Sequence, residues 1–99
     1  MSQPNRWTEF EAWCDYMMDY CDRQIEENEF FHSVLGDEAE RNIRYHKANK
    51  RLLEIRKKHY QETGDSYPPD TEEVRALKEE KIKNDTILNF FYGKRKENK

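Results

Sequence analysis

The chain has 99 residues, 18 Lys and Arg against 21 Asp and Glu for a net charge of -3, with 34% hydrophobic and 39% charged residues. This length supports one small domain rather than two; no apolar run approaches the roughly 18 residues needed to cross a membrane, and four acids among the first 20 residues oppose a signal peptide, so a cytoplasmic chain is expected. Cys14 and Cys21 are too few for a disulfide lattice and match no CxxC spacing.

Heavy charge with modest apolar content can signal disorder, but disordered chains are poor in aromatics and this one has 13%. The balance suits slender helices that bury one stripe each. The first periodic segment runs from about residue 6 to residue 35. Trp7, Cys14, Cys21, Asn28 and Leu35 share one heptad seam and Phe10, Met17, Gln24 and Phe31 its companion. Trp13, Tyr20, Val34, Met18 and Ile25 widen the stripe beyond a two-stranded seam. If Phe10 and Phe31 are buried, truncating either to Ala costs about 3 to 5 kcal/mol.

Gly36 interrupts the pattern, and Asp37 with Glu40 has capping-box spacing, which favours a tight turn over one continuous helix through a glycine that costs only about 1 kcal/mol. A second helix over about 38–63 carries Tyr45, Leu52 and His59 on one seam and Ala48, Ile55 and Glu62 on the other, with Leu53 and Tyr60 beside them. It stops at Gly64. The loop 64–70 follows, where Pro68 and Pro69 force extended backbone; Asp70 with Glu73 is a second capping-box spacing. A third, weaker helix is expected over about 71–92 with Val74, Leu77, Leu88 and Phe91 at heptad positions, and residues 94–99 read as a flexible basic tail.

These segments predict an all-α fold, a small bundle of three helices in one domain over 1–93. Helices one and two form an antiparallel hairpin, and homodimerisation is a way to complete the bundle. Charge supports the pairing: residues 1–38 hold ten acids against two bases, residues 39–63 eight bases against three acids, and residues 64–99 eight of each.

Three surfaces are candidates for function. The aromatic residues Trp7, Phe10, Trp13 and Tyr16, with Phe90, Phe91 and Tyr92, exceed what three short helices need for a core and are the type of anchor found at interface centres. The acidic ridge Asp15, Asp19, Asp22, Glu26 and Glu29 lines one helix face and reads as a solubility surface, as a contact for a basic protein, or as a mimic of a phosphate backbone. The basic residues Arg44, Lys47, Arg51 and Lys58, within the run 41–58, read as a partly paired solvated face, a nucleic-acid contact, or a dock for an acidic protein. Cys14 and Cys21 read as small buried hydrophobes; in a parallel homodimer each would meet its own copy.

No GxSxG, HExxH, glycine-rich phosphate cradle or EF-hand loop occurs, and His32 and His46 lack Glu-x-x-His spacing, so neither catalysis, a metal nor another cofactor is expected. The expected function is a non-catalytic helical protein-interaction module, a small adaptor, regulator or inhibitor with a protein partner and a tendency to self-associate. A nucleic-acid binder using residues 41–58 and an acidic nucleic-acid mimic using residues 15–29 are the alternatives.

Overall fold

Seven-residue spacing puts Cys14, Cys21 and Asn28 on one side of a helix, and all three are buried. The computed structural model describes residues 6–85, with side chains from Glu9 onward. Four helices follow in order: α1 (Arg6–Phe30), α2 (His32–Leu35), α3 (Asp37–Thr63) and α4 (Glu72–Asn84). No strand occurs among the described residues, so the chain is a small all-helical domain. The Trp7 side chain, Phe90, Phe91, Tyr92 and the tail 94–99 lie outside the described residues.

The first helix does not run unbroken to Leu35. It stops at Phe30, and Phe31 takes a bridge-region backbone (φ -93°, ψ 13°) before the single turn of α2. The Phe31 carbonyl accepts from the amides of both Val34 and Leu35 at 2.9 Å, and the Gly36 amide donates to the His32 carbonyl at 2.8 Å. Gly36 then reverses the chain at φ +59°, ψ -125°, which excludes a continuous helix. A Cβ there would meet nothing within 4 Å, so the demand for glycine comes from the backbone alone. The Asp37 capping box is corrected too. Gly36 is itself the N-cap of α3, without a side-chain bond, and Asp37 lies inside the first turn, where with Glu38 and Glu40 it faces the positive end of the helix dipole.

Partners across α1 and α3 fall in number on one helix as they rise on the other. Gln61 Nε2 donates to Glu11 at 2.7 Å, Lys57 Nζ to Asp15 at 2.7 Å, Lys50 Nζ to Asp22 at 2.8 Å and Asn42 Nδ2 to Asn28 Oδ1 at 3.1 Å. Cys14 and Cys21 on α1 and Ala39 and Ala48 on α3 are buried small residues, and small side chains permit close helix approach. Larger ones, such as Phe10 and Met17, are half-buried at the margins. Asn28 is a buried polar group with both ends occupied, its amide nitrogen donating to the Gln24 carbonyl at 2.7 Å.

Gly64, at φ +80°, closes α3 by donating to the Tyr60 carbonyl at 2.8 Å. Within the following loop Asp65 Oδ1 accepts from the Tyr67 amide at 3.0 Å, an Asx turn. The cap of α4 is Thr71 instead of Asp70: its Oγ1 accepts from the Val74 amide at 3.2 Å. Thr71→Ala is expected to lower stability by about 0.5 to 2 kcal/mol, read from the urea midpoint. The helix ends at Asn84, short of the expected Tyr92, because Asn84 bonds back to the Glu80 carbonyl at 2.8 Å and Asp85 turns extended (φ -73°, ψ 111°). The part of that expectation beyond Asp85 lies outside the described residues.

Val74 anchors α4 on α3, assisted by Arg51 Nε donating to Glu73 at 3.1 Å and by Lys81 Nζ over the Tyr45 ring at 5.5 Å. Among the described residues α1 and α4 each pack on α3 rather than on one another. The central helix therefore carries both neighbours.

Candidate interaction surfaces

The aromatic candidates separate. Phe10 is half-buried, its ring 4.5 Å from that of Tyr60, while Trp13 is 43% and Tyr16 63% exposed. The Arg56 guanidinium lies 5.3 Å from both the Phe10 and Trp13 ring centres and 5.2 Å from that of Tyr67, and its Nε donates to the Ser66 carbonyl at 3.1 Å. Phe10 and Trp13 thus belong to an internal joint that ties α1, α3 and the 64–70 loop, leaving Tyr16 as the outward member.

The acidic ridge is only partly a free row. Asp15 and Asp22 hold Lys57 and Lys50, Asp19 lies 3.7 Å from Arg23, and Glu26 and Glu29 are exposed. The hydrogen bonds that Lys50 and Lys57 donate to Asp22 and Asp15 hold their pKa values above the ordinary lysine range. On the basic side, Arg51 is engaged by Glu73 and Glu54, while Arg44, Lys47 and Lys58 are exposed. The paired members weaken both a continuous phosphate-like row and a continuous phosphate-binding stripe.

A surface the sequence reading placed inside lies at the α1–α3 turn. Phe31, expected on a buried seam, is 49% exposed, Leu35 is also exposed, and Phe30 and Val34 are both 79% exposed. The Phe30 and Phe31 rings meet edge-on at 4.9 Å. The physical reason is the absence of apolar partners: beyond the turn the chain continues as Asp37, Glu38, Glu40 and Arg41, all exposed. Exposed Glu26, Glu27 and Glu29 complete an acidic border. Pairing the sequence across Gly36 would have revealed this, since the first turn beyond the glycine offers only Ala39 as an apolar residue, too small to cover Phe31 and its neighbours.

Cys14 and Cys21 are fully buried and free, which corrects the idea that they meet their own copies across a dimer seam. Asn49 Nδ2 donates to Cys21 Sγ at 3.5 Å, and burial pushes both thiols above their usual range. No group of three His, Cys, Asp or Glu side chains placed to hold a metal ion occurs among the described residues. No described helix is long and apolar enough to cross a membrane.

His46 lies between Tyr20 and Tyr45, with ring centres at 5.9 and 5.2 Å, and its Nδ1 is buried without a hydrogen-bond partner. Burial, then the charge of Lys81, lowers its pKa, and burial likewise pushes Lys81 down and Tyr45 up. The unfolded ring takes a proton below about pH 6.5, while the folded ring resists it, so the unfolded state binds more protons there. Stability is expected to fall as pH drops from about 6.5 toward 5, and His46→Phe should flatten that part of a pH-resolved urea titration. Compared with known protein families, curated proteins and solved structures, the chain matches none.

Proposed function

We propose that this chain is a non-catalytic protein-interaction module, an adaptor, regulator or inhibitor, in which α1 and α3 form an antiparallel hairpin whose tip is the contact surface. The observation that carries the reading is the apolar cluster of Phe30, Phe31, Val34 and Leu35, left in water inside an acidic border. Large exposed side chains grouped this way have a desolvation energy available for a partner. The complementary surface is an apolar cleft rimmed by Lys or Arg on another protein. A second copy docked tip to tip would oppose like charges, so self-association, where it occurs, is expected to use another face.

The test uses the full chain carrying Phe30→Asp and Val34→Asp, changes at sites too exposed to affect folding by more than about 0.5 kcal/mol. In affinity capture from host extract with and without nuclease, proteins retained by the wild type are expected to be lost from the variant in both conditions. Retention of the same proteins by both chains refutes the tip. Loss only on nuclease treatment favours nucleic-acid binding through Arg44, Lys47, Arg51 and Lys58.

A further inference from the structure

We propose that the groove between α3, the 64–70 loop and α4 binds a small organic acid with an apolar body, its carboxylate held between Lys78 and Lys81 and its body lying over Leu52, Leu53 and Val74. This inference is independent of the tip. The groove holds about 250 Å³, just under the roughly 300 Å³ at which pockets for drug-sized ligands begin. A partner helix, about 10 to 12 Å across with its side chains, does not fit such a space, whereas one small molecule does. Buried Leu52, Leu53 and Val74 line it, joined by Tyr67 and Pro68 of the loop. The pairing of Arg51 with Glu73 and of Tyr45 with Lys81 sets α4 antiparallel to α3. Lys81 therefore marks one end of the groove, and Tyr67 with Pro68 marks the other.

Charge selects an anion. The charged residues lining the groove, Arg56, Lys78 and Lys81, are all cations and no Asp or Glu lines it, in a chain whose net charge is -3. Arg56 is already committed to the rings of Phe10, Trp13 and Tyr67 and to the Ser66 carbonyl. Lys78 and Lys81 pair with no Asp or Glu among the described residues, and the Lys81 ammonium has only the Tyr45 ring at 5.5 Å. These two lysines lie three positions apart on α4, so their Cβ atoms are about 5 to 6 Å apart on one face. Two ammonium groups on flexible stems can close on one carboxylate across that span. Val74, four positions before Lys78, continues the same face toward the loop. A head group at the lysines therefore runs its apolar body along Leu52, Leu53 and Val74. Burial is the largest influence on Lys81 and lowers its pKa, disfavouring the charged form, which a bound carboxylate would restore.

The experiment titrates the full chain with octanoate and, in parallel, with octan-1-ol, following methyl signals by NMR. Octanoate is expected to shift Leu52, Leu53 and Val74 saturably while Val34, at the acid-bordered tip, stays in place. Octanol should bind about tenfold more weakly, having lost the charge-assisted bonds. Hexanoate should bind about fourfold more weakly than octanoate for each methylene removed. Lys78→Met with Lys81→Met removes both charges and keeps apolar stems, so octanoate affinity is expected to fall about tenfold, to that of octanol, with octanol binding unchanged. Lys78→Glu, at an exposed site, should also weaken octanoate severalfold and carries the test if the double variant does not fold. Absence of methyl shifts overturns the proposal, as does equal affinity for the acid and the alcohol or undiminished octanoate binding by the variants. Movement of the Leu52, Leu53 and Val74 signals on diluting the ligand-free protein also overturns it and assigns the groove to a second copy.

Discussion

Leu53→Ala is expected to destabilise the protein by about 2 to 5 kcal/mol, seen as a lower urea midpoint with an unchanged slope. Leu53 is 2% exposed and sits seven residues from both the half-buried His46 and the buried Tyr60 on α3. Most other core positions are cysteines or alanines, with little volume to lose. Removing three carbons at Leu53 forfeits the close-packed contacts of a nearly fully buried side chain, and the space left beside Leu52 and Val74 is filled only by rearranging them. Domains of this kind have about 5 to 15 kcal/mol in total, making the loss a large fraction. Phe31→Ala is the contrasting control: at half exposure it should cost well under the 3 to 5 kcal/mol that burial implies. A Leu53→Ala cost below about 1 kcal/mol would show that the apolar side of α3 is not the main source of stability.

The all-helical class was legible because the apolar residues recur at three and four positions, and the seam of Cys14, Cys21 and Asn28 followed from the same arithmetic. Periodicity fails where a helix runs past its partner. Leu35 and Phe31 keep the heptad phases of Cys14 and Met17, yet the chain beyond the turn begins with exposed Asp37, Glu38, Glu40 and Arg41, so phase alone assigned burial to residues that stand in water. Phase also understated α3. Reading Tyr45, Leu52 and His59 as its main seam gave one stripe, whereas this helix meets α1 through Tyr60, stacked on Phe10, and α4 through the Tyr45 side. A helix with neighbours on two sides carries two overlapping seams that a single heptad frame cannot separate.

Helix ends depend on chemistry finer than spacing. Asp70 and Thr71 are both good caps, and the preference for Thr71 arises where Pro69 sets the preceding backbone, its carbonyl accepting from the Thr71 amide at 2.9 Å. The charge segregation was legible as a tendency and resolves into two cross-helix pairs, Asp15 with Lys57 and Asp22 with Lys50. Both carboxylates are half-exposed or more, so each pair contributes about 0 to 1 kcal/mol and serves register more than stability. Nothing in the spacing of Arg56 distinguished it from Lys57 or Lys58, although its surroundings are entirely different.

That difference sets the second large expected effect. Arg56→Ala should cost about 2 to 4 kcal/mol, against at most about 1 kcal/mol for Lys57→Ala one position along. The Arg56 plane is shared by Phe10, Trp13 and Tyr67, and its Nε also satisfies the Ser66 carbonyl, so truncation removes three ring contacts and strips a partly buried acceptor of its donor. The three contacts act through one group, and their loss is counted once rather than summed. Arg56→Lys keeps the charge but has neither a flat face to stack on the rings nor a fork to reach Ser66 while doing so, and should recover less than half of the loss. Urea unfolding followed by far-UV circular dichroism reads all three variants. A lysine variant as stable as the wild type would reduce Arg56 to a simple point charge, whereas loss in both variants identifies the guanidinium as the pin joining α1 to the loop before α4.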